Sequence, residues 1–159
     1  MPCYIFFNED RYTASMNVSI KRIDKDLPLP AYQTDGAAAF DLNSRVDIDV
    51  PREGVTVIPL GIVVDIPDGH VGLLFARSSL PGKKGLMVAN GVGVIDADFC
   101  GDNDELGLAV INISSSVVKV EKGERLAQMI ILPIDRVSLQ EVSRMSGKDR
   151  GGFGTTGRK

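Results

Sequence analysis

The 159-residue chain contains no tryptophan, one histidine and two cysteines. Two cysteines, Cys3 and Cys100, are too few for a disulfide scaffold, and neither lies in a CxxC or Cys/His pattern that would hold a metal. This scarcity favours a reducing compartment, so we expect an intracellular, cytoplasmic protein. The single histidine, His70, follows Asp68-Gly69 in a turn sequence with no accompanying nucleophile pattern. We interpret it as a surface residue without a catalytic role.

Long hydrophobic runs are also absent. No stretch approaches the roughly 18 apolar residues that a membrane helix needs, and the N-terminus lacks the basic region of a signal peptide. The formal net charge is −3 and the pI is about 5.1. Because neither nucleic acid nor an anionic membrane attracts such a surface, we expect no direct nucleic-acid binding and no membrane partner.

What the sequence has instead is many short β-strand patterns separated by glycine, proline, asparagine and aspartate. These patterns predict an all-β protein, a jelly-roll-like barrel or sandwich. The strand segments are residues 18–23, 46–50, 55–58, 61–66, 71–75, 86–88, 108–113, 117–120 and 129–132. Residues 82–85 are too short and glycine-rich for a helix, and only residues 123–128 look helical, as a tight turn before a strand.

The predicted organisation is a single β domain with two appendages. Residues 1–16 form an N-terminal extension, residues 17–143 the β domain, and residues 144–159 a flexible C-terminal tail. The tail is rich in glycine and nearly free of apolar residues, so it lacks the means to form a core of its own. The N-terminal extension is either an arm that packs on a neighbouring chain or a consequence of start-site choice.

Three segments have the chemistry of a nucleotide site. Arg77-Ser78-Ser79 follows a strand and offers a guanidinium fork and two hydroxyls, which suit phosphate oxygens. The same tripeptide is also compatible with an ordinary strand end. It therefore predicts a phosphate site only together with the other two segments.

The second segment is residues 90–99. Asn90 and two glycines mark a hairpin whose backbone approaches a flat ligand closely. Asp96 follows an apolar pair that partly shields it, and Phe99 supplies an aromatic wall, so a slot for a base is one interpretation. The other is a β-turn in which the aspartates cap local N–H groups.

The third segment is the tail, which resembles a phosphate-binding glycine loop with Arg150, Gly154, Thr155 and Thr156. Phe153 is its lone aromatic, suited to stacking on a ligand. The alternative is a disordered glycine tail. Three such segments in one acidic β protein point to a nucleotide ligand.

Five motifs in order make the sequence similar to the trimeric dUTPase family, from about residue 18 to residue 157. They are AAFDL at 38–42, ARSSL at 76–80, GVIDADF at 93–99, GERLAQM at 123–129 and GGFGTTG at 151–157. The resemblance implies that the chain hydrolyses dUTP to dUMP and pyrophosphate. It also implies a homotrimer whose active sites are each built from three chains.

The resemblance assigns a role to each candidate residue. Asp96 would activate the attacking water, with Ser78 near the bridging oxygen, and Mg²⁺ chelated by the triphosphate would be reached by Asp41 through water. Backbone around the turn would read uracil, Phe99 would pack on deoxyribose, and the tail would close over the nucleotide. The catalytic candidates are Asp96, Ser78 and Arg77; the substrate-binding candidates are Arg77, Ser78, Ser79, Asn90, Gly93, Val94, Ile95, Asp96, Phe99, Gln128, Arg150, Phe153, Gly154, Thr155 and Thr156.

Several positions depart from the family pattern. Ala39 and Ala76 stand where glycine and proline are usual, and Phe99 replaces a tyrosine. Residues 103–105 form a short insertion near the base pocket. The family's tail arginine usually lies further ahead of the glycine pair than Arg150 does, so Lys148 is an alternative for this role.

Two other functions are compatible with parts of this pattern. One is a dCTP deaminase of the same fold, but no pocket glutamate accompanies residues 77–79. The other is a binding module that senses dUTP or contacts a regulatory protein. Asp96 and the tail favour hydrolysis over pure binding.

Overall fold

The computed structural model describes residues 16–152, and within that range the regular secondary structure is almost entirely antiparallel β-strand. The strands are β1 (Ser19–Arg22), β2 (Phe40–Asn43), β3 (Ile48–Val50), β4 (Thr56–Pro59), β5 (Ile62–Asp65), β6 (His70–Ala76), β7 (Leu86–Val88), β8 (Gly93–Ile95), β9 (Gly107–Asn112), β10 (Val118–Val120) and β11 (Arg125–Pro133). One short helix, α1 (Leu80–Lys84), follows β6. The all-β prediction is therefore confirmed.

The strands form two main sheets and two ladders. A four-stranded sheet has the order β2-β11-β6-β8, and a three-stranded sheet has the order β4-β9-β7. The pairs β1-β5 and β3-β10 complete the fold. The longest strand, β11, pairs with β6 on one edge and β2 on the other, so it is the centre of the larger sheet.

The two main sheets bury one shared core. Strand β9 alternates in burial, with Leu108, Val110 and Asn112 facing inward, as the period of two in a strand requires. Leu74 of β6 and Met129 of β11 join the same cluster from the larger sheet. Burial of these side chains supplies the main favourable free energy of folding.

The buried amide of Asn112 is fully hydrogen-bonded. Asn112 donates from Nδ2 to the carbonyls of Val50 at 2.9 Å and Ser116 at 2.8 Å. Its Oδ1 accepts from the backbone and hydroxyl of Ser114. Because an unpaired buried amide is costly, this network fixes the turn between β9 and β10.

One local prediction is wrong and another is right only in part. Residues 80–84 form a helix, because Pro81 suits a first turn and Gly85 ends the helix with a φ of 65° while its N–H donates to the Pro81 carbonyl,. For residues 123–128, the tight turn before a strand is present at 122–123, but β11 already begins at Arg125 and no residue is helical. Apolar anchoring by Leu80, 3% exposed, outweighs the glycine content of the helix.

The hairpin predicted around residues 90–93 is also wrong. A turn does occur there, with Gly91 at a φ of 73°, but its flanking strands lie in different sheets. Strand β7 pairs with β9 and strand β8 pairs with β6. The segment is therefore a corner between sheets, which glycine spacing alone does not distinguish from a hairpin.

The described residues contain no helix long and apolar enough to cross a bilayer. The last strand ends at Pro133, ahead of the predicted domain boundary at residue 143, and residues 134–152 form neither helix nor strand. The predicted extension lies mostly outside the described residues. The domain boundaries therefore stay predictions.

We expect Leu74→Ala to lower the free energy of unfolding by about 2–5 kcal/mol, because it leaves a cavity between β11 and β8. Leu74 is 2% exposed, whereas Leu29 is 57% exposed, so Leu29→Ala is a matched control. Urea denaturation at one fixed protein concentration measures both. Equal losses for the two variants would contradict the described core.

Candidate active site

The register of β11 brings three predicted residues into one neighbourhood. Gln128 lies opposite Asp41 of β2 on one side and opposite Phe75 of β6 on the other. Arg77 follows β6 directly, and its backbone N–H donates to the Leu126 carbonyl at 3.0 Å. We call the cluster of Asp41, Arg77 and Gln128, with Arg125, the basic cluster.

A single carboxylate oxygen organises the basic cluster. Asp41 Oδ2 lies 3.2 Å from Arg77 Nε and 3.1 Å from Arg125 Nη1. The Asp41 side chain is 8% exposed, so the ion pairs are shielded from bulk water and screened less than surface pairs. The second oxygen, Oδ1, takes part in neither of these pairs.

Two further contacts restrict the cluster. Gln33 Oε1 accepts from Arg125 Nη1 at 2.5 Å, which ties the loop before β2 to β11. Gln128 Nε2 donates to the Ala76 carbonyl at 3.0 Å, beside the start of the Arg77-Ser78-Ser79 segment. Arg125 was missed by sequence reasoning as a site residue, although it lies inside the fourth motif.

A cavity of about 340 Å³ opens beside the basic cluster. It is strongly basic, because its lining residues are Arg77, Ser79, Leu80, Lys83, Lys84, Glu124 and Arg125. Ser78 is exposed next to it but is not among the lining residues. The structure thus brings Arg77 and Ser79, two predicted phosphate ligands, to a cavity whose charge suits an anion.

The predicted base site lies on β8 and the turns around it. Val94 is 63% exposed and Phe99 is 39% exposed, and Asn90 is exposed as well. Asp96 is also exposed, so the prediction that its apolar neighbours shield it is wrong for the single chain. The Phe99 N–H donates to the Asp96 carbonyl at 3.2 Å, which closes a turn after β8.

Asp96 lines a second cleft, of about 410 Å³, together with His70 and Arg136. His70 Nδ1 lies 3.1 Å from the Asp68 carbonyl. His70 is half-buried, whereas the sequence indicated a simple surface position. It nevertheless makes no contact that assigns it a chemical role.

The loop after Phe99 is tied by side-chain contacts to residues distant in the sequence. Arg45 pairs with both oxygens of Glu105, at 2.7 and 3.0 Å, and the Gly61 N–H donates to the same carboxylate at 2.8 Å. The hydrogen bonds that Arg45 donates to Glu105 raise the pKa of Arg45. Lys21 bonds Asp102 at 2.8 Å and lowers the pKa of that carboxyl. Asp102 and Glu105 therefore hold this loop to β1, to Arg45 and to the residue before β5.

The basic cluster and Asp96 lie at opposite ends of β6. Strand β8 runs antiparallel to β6 with Ile95 opposite Gly72, so Asp96 lies beside the start of β6, while Arg77 follows its end. At roughly 3.3 Å per residue, the six positions from Val71 to Arg77 span about 20 Å. One chain therefore does not bring Asp96 to the basic cluster.

The predicted tail residues are only partly described. Arg150 is exposed, and Phe153, Gly154, Thr155 and Thr156 lie outside the described residues. Among residues 16–152, no group of three or more His, Cys, Asp or Glu side chains is arranged to hold a metal ion. Within the described residues, Asp41 is thus a single carboxylate and not part of a metal site formed by protein side chains alone.

Comparison with solved structures identifies the kind of fold. The chain is similar to the dUTPase from Streptococcus mutans, with 31% identity, a TM-score of 0.69, and coverage of 75% of this chain and 98% of that one. It is also similar to a mutant of the Staphylococcus bacteriophage 80alpha dUTPase with dUpNHpp, with 25% identity, a TM-score of 0.78, and coverage of 90% and 99%. The fold is therefore the jelly-roll-like dUTPase fold.

Sequence comparison agrees. The dUTPase family model matches residues 25–157. The deoxyuridine 5'-triphosphate nucleotidohydrolase of Dictyoglomus turgidum is 40% identical over 148 residues, covering 89% of this chain and 99% of the relative. That of Desulfitobacterium hafniense is 42% identical over 147 residues, covering 89% and 95%. The chain belongs to the dUTPase family.

We expect Asp41→Asn to lower the free energy of unfolding by about 1–3 kcal/mol, because it removes the charge that pairs with Arg77 and Arg125. Asp65→Asn, at an exposed position of β5, makes the same chemical change and should leave stability within about 0.5 kcal/mol. Denaturant unfolding at pH 7 and low salt measures both. An unchanged stability in Asp41→Asn would show that the two arginines do not depend on this carboxylate.

Proposed function

We infer that the chain hydrolyses dUTP to dUMP and pyrophosphate, an activity that keeps uracil out of DNA and supplies dUMP for thymidylate synthesis. Its relatives over nearly their whole length are named for this activity. The observation that carries the inference is the basic cavity in which Arg77 and Ser79 lie beside Asp41. A cation-lined cavity of this kind suits the phosphates of a nucleotide, whose transfer depends mainly on positioning and charge neutralisation.

The basic cluster holds the phosphate chain. Arg77 offers its remaining N–H groups to phosphate oxygens while Asp41 fixes its Nε. Ser79 contributes a hydroxyl from the cavity wall, and Ser78 lies next to it, near the oxygen that bridges the α- and β-phosphates. Gln128 reaches the same place from β11. A guanidinium already held by a carboxylate loses little side-chain freedom when the substrate binds.

Asp96 performs the water-positioning step. Its carboxylate accepts a hydrogen bond from the attacking water and aims it at the α-phosphorus. A bond forms between the water oxygen and that phosphorus, and the bond to the bridging oxygen breaks. Pyrophosphate leaves, and the proton of the water passes to Asp96 or to solvent.

The corner around β8 reads the nucleoside. Backbone groups near Asn90, Gly93, Val94 and Ile95 pair with the edges of uracil. Strand β8 pairs with β6 on one edge only, and within residues 16–152 its other edge has no strand partner. Phe99 packs on the deoxyribose and excludes a 2′-hydroxyl. The tail, with Arg150 or Lys148 and with Phe153, Gly154, Thr155 and Thr156, closes over the nucleotide and excludes bulk water.

The dUTPase family depends on a divalent cation, and we propose that the ion here is Mg²⁺. Mg²⁺ keeps most of its waters and binds through one or two carboxylates plus substrate phosphates. A single carboxylate with one oxygen outside its ion pairs, as in Asp41, fits such an ion held through water. The ion would neutralise charge on the phosphates; the chain itself orients them.

The geometry of β6 supports a site that is shared between the chains of a homotrimer. Because about 20 Å separates Asp96 from Arg77 in one chain, the water-positioning carboxylate must meet the basic cluster of a neighbouring chain. The half-exposed Phe99 and exposed Val94 are then covered by the partner and the nucleotide. A closed ring of identical, head-to-tail interfaces gives each chain one such neighbour on either side.

The direct test is pyrophosphate release from dUTP, dTTP, dCTP and UTP, with and without Mg²⁺. We expect release from dUTP alone to be fast and Mg²⁺-dependent. The deaminase alternative predicts ammonia from dCTP instead. Absence of dUTP turnover in trimeric protein would favour the binding-module alternative, for which a regulatory protein partner stays a hypothesis.

Asp96→Asn should lower kcat by about 10²–10⁴-fold, because the amide no longer accepts the water proton. Binding of the imido analogue dUpNHpp should change little, since the phosphate and base contacts remain. Steady-state kinetics and calorimetric titration separate the two effects. Asp65→Asn is the matched control and should retain full turnover; a comparable loss there would remove the special role of Asp96.

Mixing two inactive variants tests the shared site. Asp96→Asn and Arg77→Ala chains, unfolded together and reassembled at equal amounts, should regain activity at about a quarter of the sites, where an intact Asp96 meets an intact Arg77. Each variant reassembled alone gives the baseline. If both residues acted within one chain, the mixture would stay at that baseline.

A further inference from the structure

The cations of the basic cavity are not equivalent. Arg77 and Arg125 both pair with Asp41. Lys84 Nζ lies 2.9 Å from Glu124 Oε2 and donates to the Lys119 carbonyl at 2.9 Å. The fourth, Lys83, makes no ion pair or side-chain hydrogen bond with residues 16–152. It is therefore the cation of this cavity that the described part of the chain does not neutralise.

The helix holds Lys83 on the same face as Ser79. The Lys83 N–H donates to the Ser79 carbonyl at 2.9 Å, one helical turn back, and residues four apart on a helix are neighbours on its surface. Both residues line the basic cavity. Lys83, one helical turn after Ser79, thus brings an ammonium group without an ion pair among residues 16–152 to the cavity proposed for the phosphates.

The backbone beneath Lys83 is firmly anchored. Leu80, 3% exposed, seats α1 in the core, and Gly85 ends the helix against β9. A Cβ on Gly85 would lie 2.8 Å from the Ser114 Cβ, so this end of the helix packs closely on the fold. Lys84 also lines the cavity but is paired with Glu124, which leaves Lys83 as the lining cation without an ion pair among residues 16–152.

We propose that Lys83 is a further substrate-binding residue, which contacts the outer phosphates of the nucleotide beside Ser79 and favours a triphosphate over a monophosphate. The assignment rests on the proposed function. A lysine is a compact charge on a flexible stem and binds phosphate without a fixed geometry. It therefore suits the outer phosphates, while Arg77, held by Asp41, keeps a fixed orientation.

The test compares the wild type with Lys83→Met, which keeps the length of the side chain and removes its charge. Calorimetric titration with dUpNHpp and with dUMP measures affinity for a nucleotide with and without outer phosphates. We expect affinity for dUpNHpp to fall about tenfold, as for loss of one charge-assisted hydrogen bond, and affinity for dUMP to stay unchanged. Lys83→Arg should restore most of the loss.

The matched control is Lys25→Met, which makes the same change of net charge at an exposed position away from the cavity and should bind both nucleotides as the wild type does. If Lys83→Met lowers the affinity for dUpNHpp and dUMP equally, or lowers neither, the assignment of Lys83 is overturned. The proposed function still stands in that case if the wild type binds dUpNHpp. A wild type that does not bind dUpNHpp overturns both.

Discussion

Strand β11 is hydrogen-bonded along both edges, and the placement of the candidate site depends on this double pairing. Residues 127–133 pair with β6 on one side, and residues 125 and 127–129 pair with β2 on the other, so residues 127–129 are held on both edges. A backbone held on both edges resists slipping, because a shift of one residue would turn Ala127 and Met129, which are both fully buried, out of the core,. The register thus sets Gln128 between Asp41 and Phe75 and directs Arg125 at Asp41. The hydrophobic core, in this sense, determines where the charges lie.

The carboxylate of Asp41 connects fold stability with ligand recognition. Burying a charge is costly unless it is paired, and here two guanidinium groups do the pairing. Neither arginine is buried as deeply: the side chains of Arg77 and Arg125 are 30% and 43% exposed. Each keeps N–H groups that face outward. The same interaction that compensates the buried charge therefore presents a preformed donor surface.

The strand pattern was largely predictable from the sequence, because short alternating segments between glycine and proline carry a local signal. Strands β2 and β8 were missed. Phe40–Asn43 overlaps a motif that was interpreted as part of the active site, and Gly93–Ile95 begins with a glycine. Helix α1 was missed because its glycines hide the contribution of Leu80 and of Pro81 at its start. The members of the basic cluster were found through their motifs, except Arg125, whose position depends on the register of β11. Lys83 was not singled out either, because no local pattern reveals the cavity that it lines. The exposure of Asp96 was not predictable either, because it depends on which residues pack beside the end of β8 in the folded chain.

The length of β6 has a consequence for how activity responds to the amount of protein. Under the proposed sharing of sites, an isolated chain retains its folded core, its basic cluster and its Asp96, but no complete site. Dilution to concentrations at which the assembly dissociates would then abolish turnover without unfolding the chain. Raising the concentration again would restore turnover. The length of a seven-residue strand would thus make the turnover rate rise more steeply than in proportion to the protein concentration. The folded monomer would be inactive until it assembles.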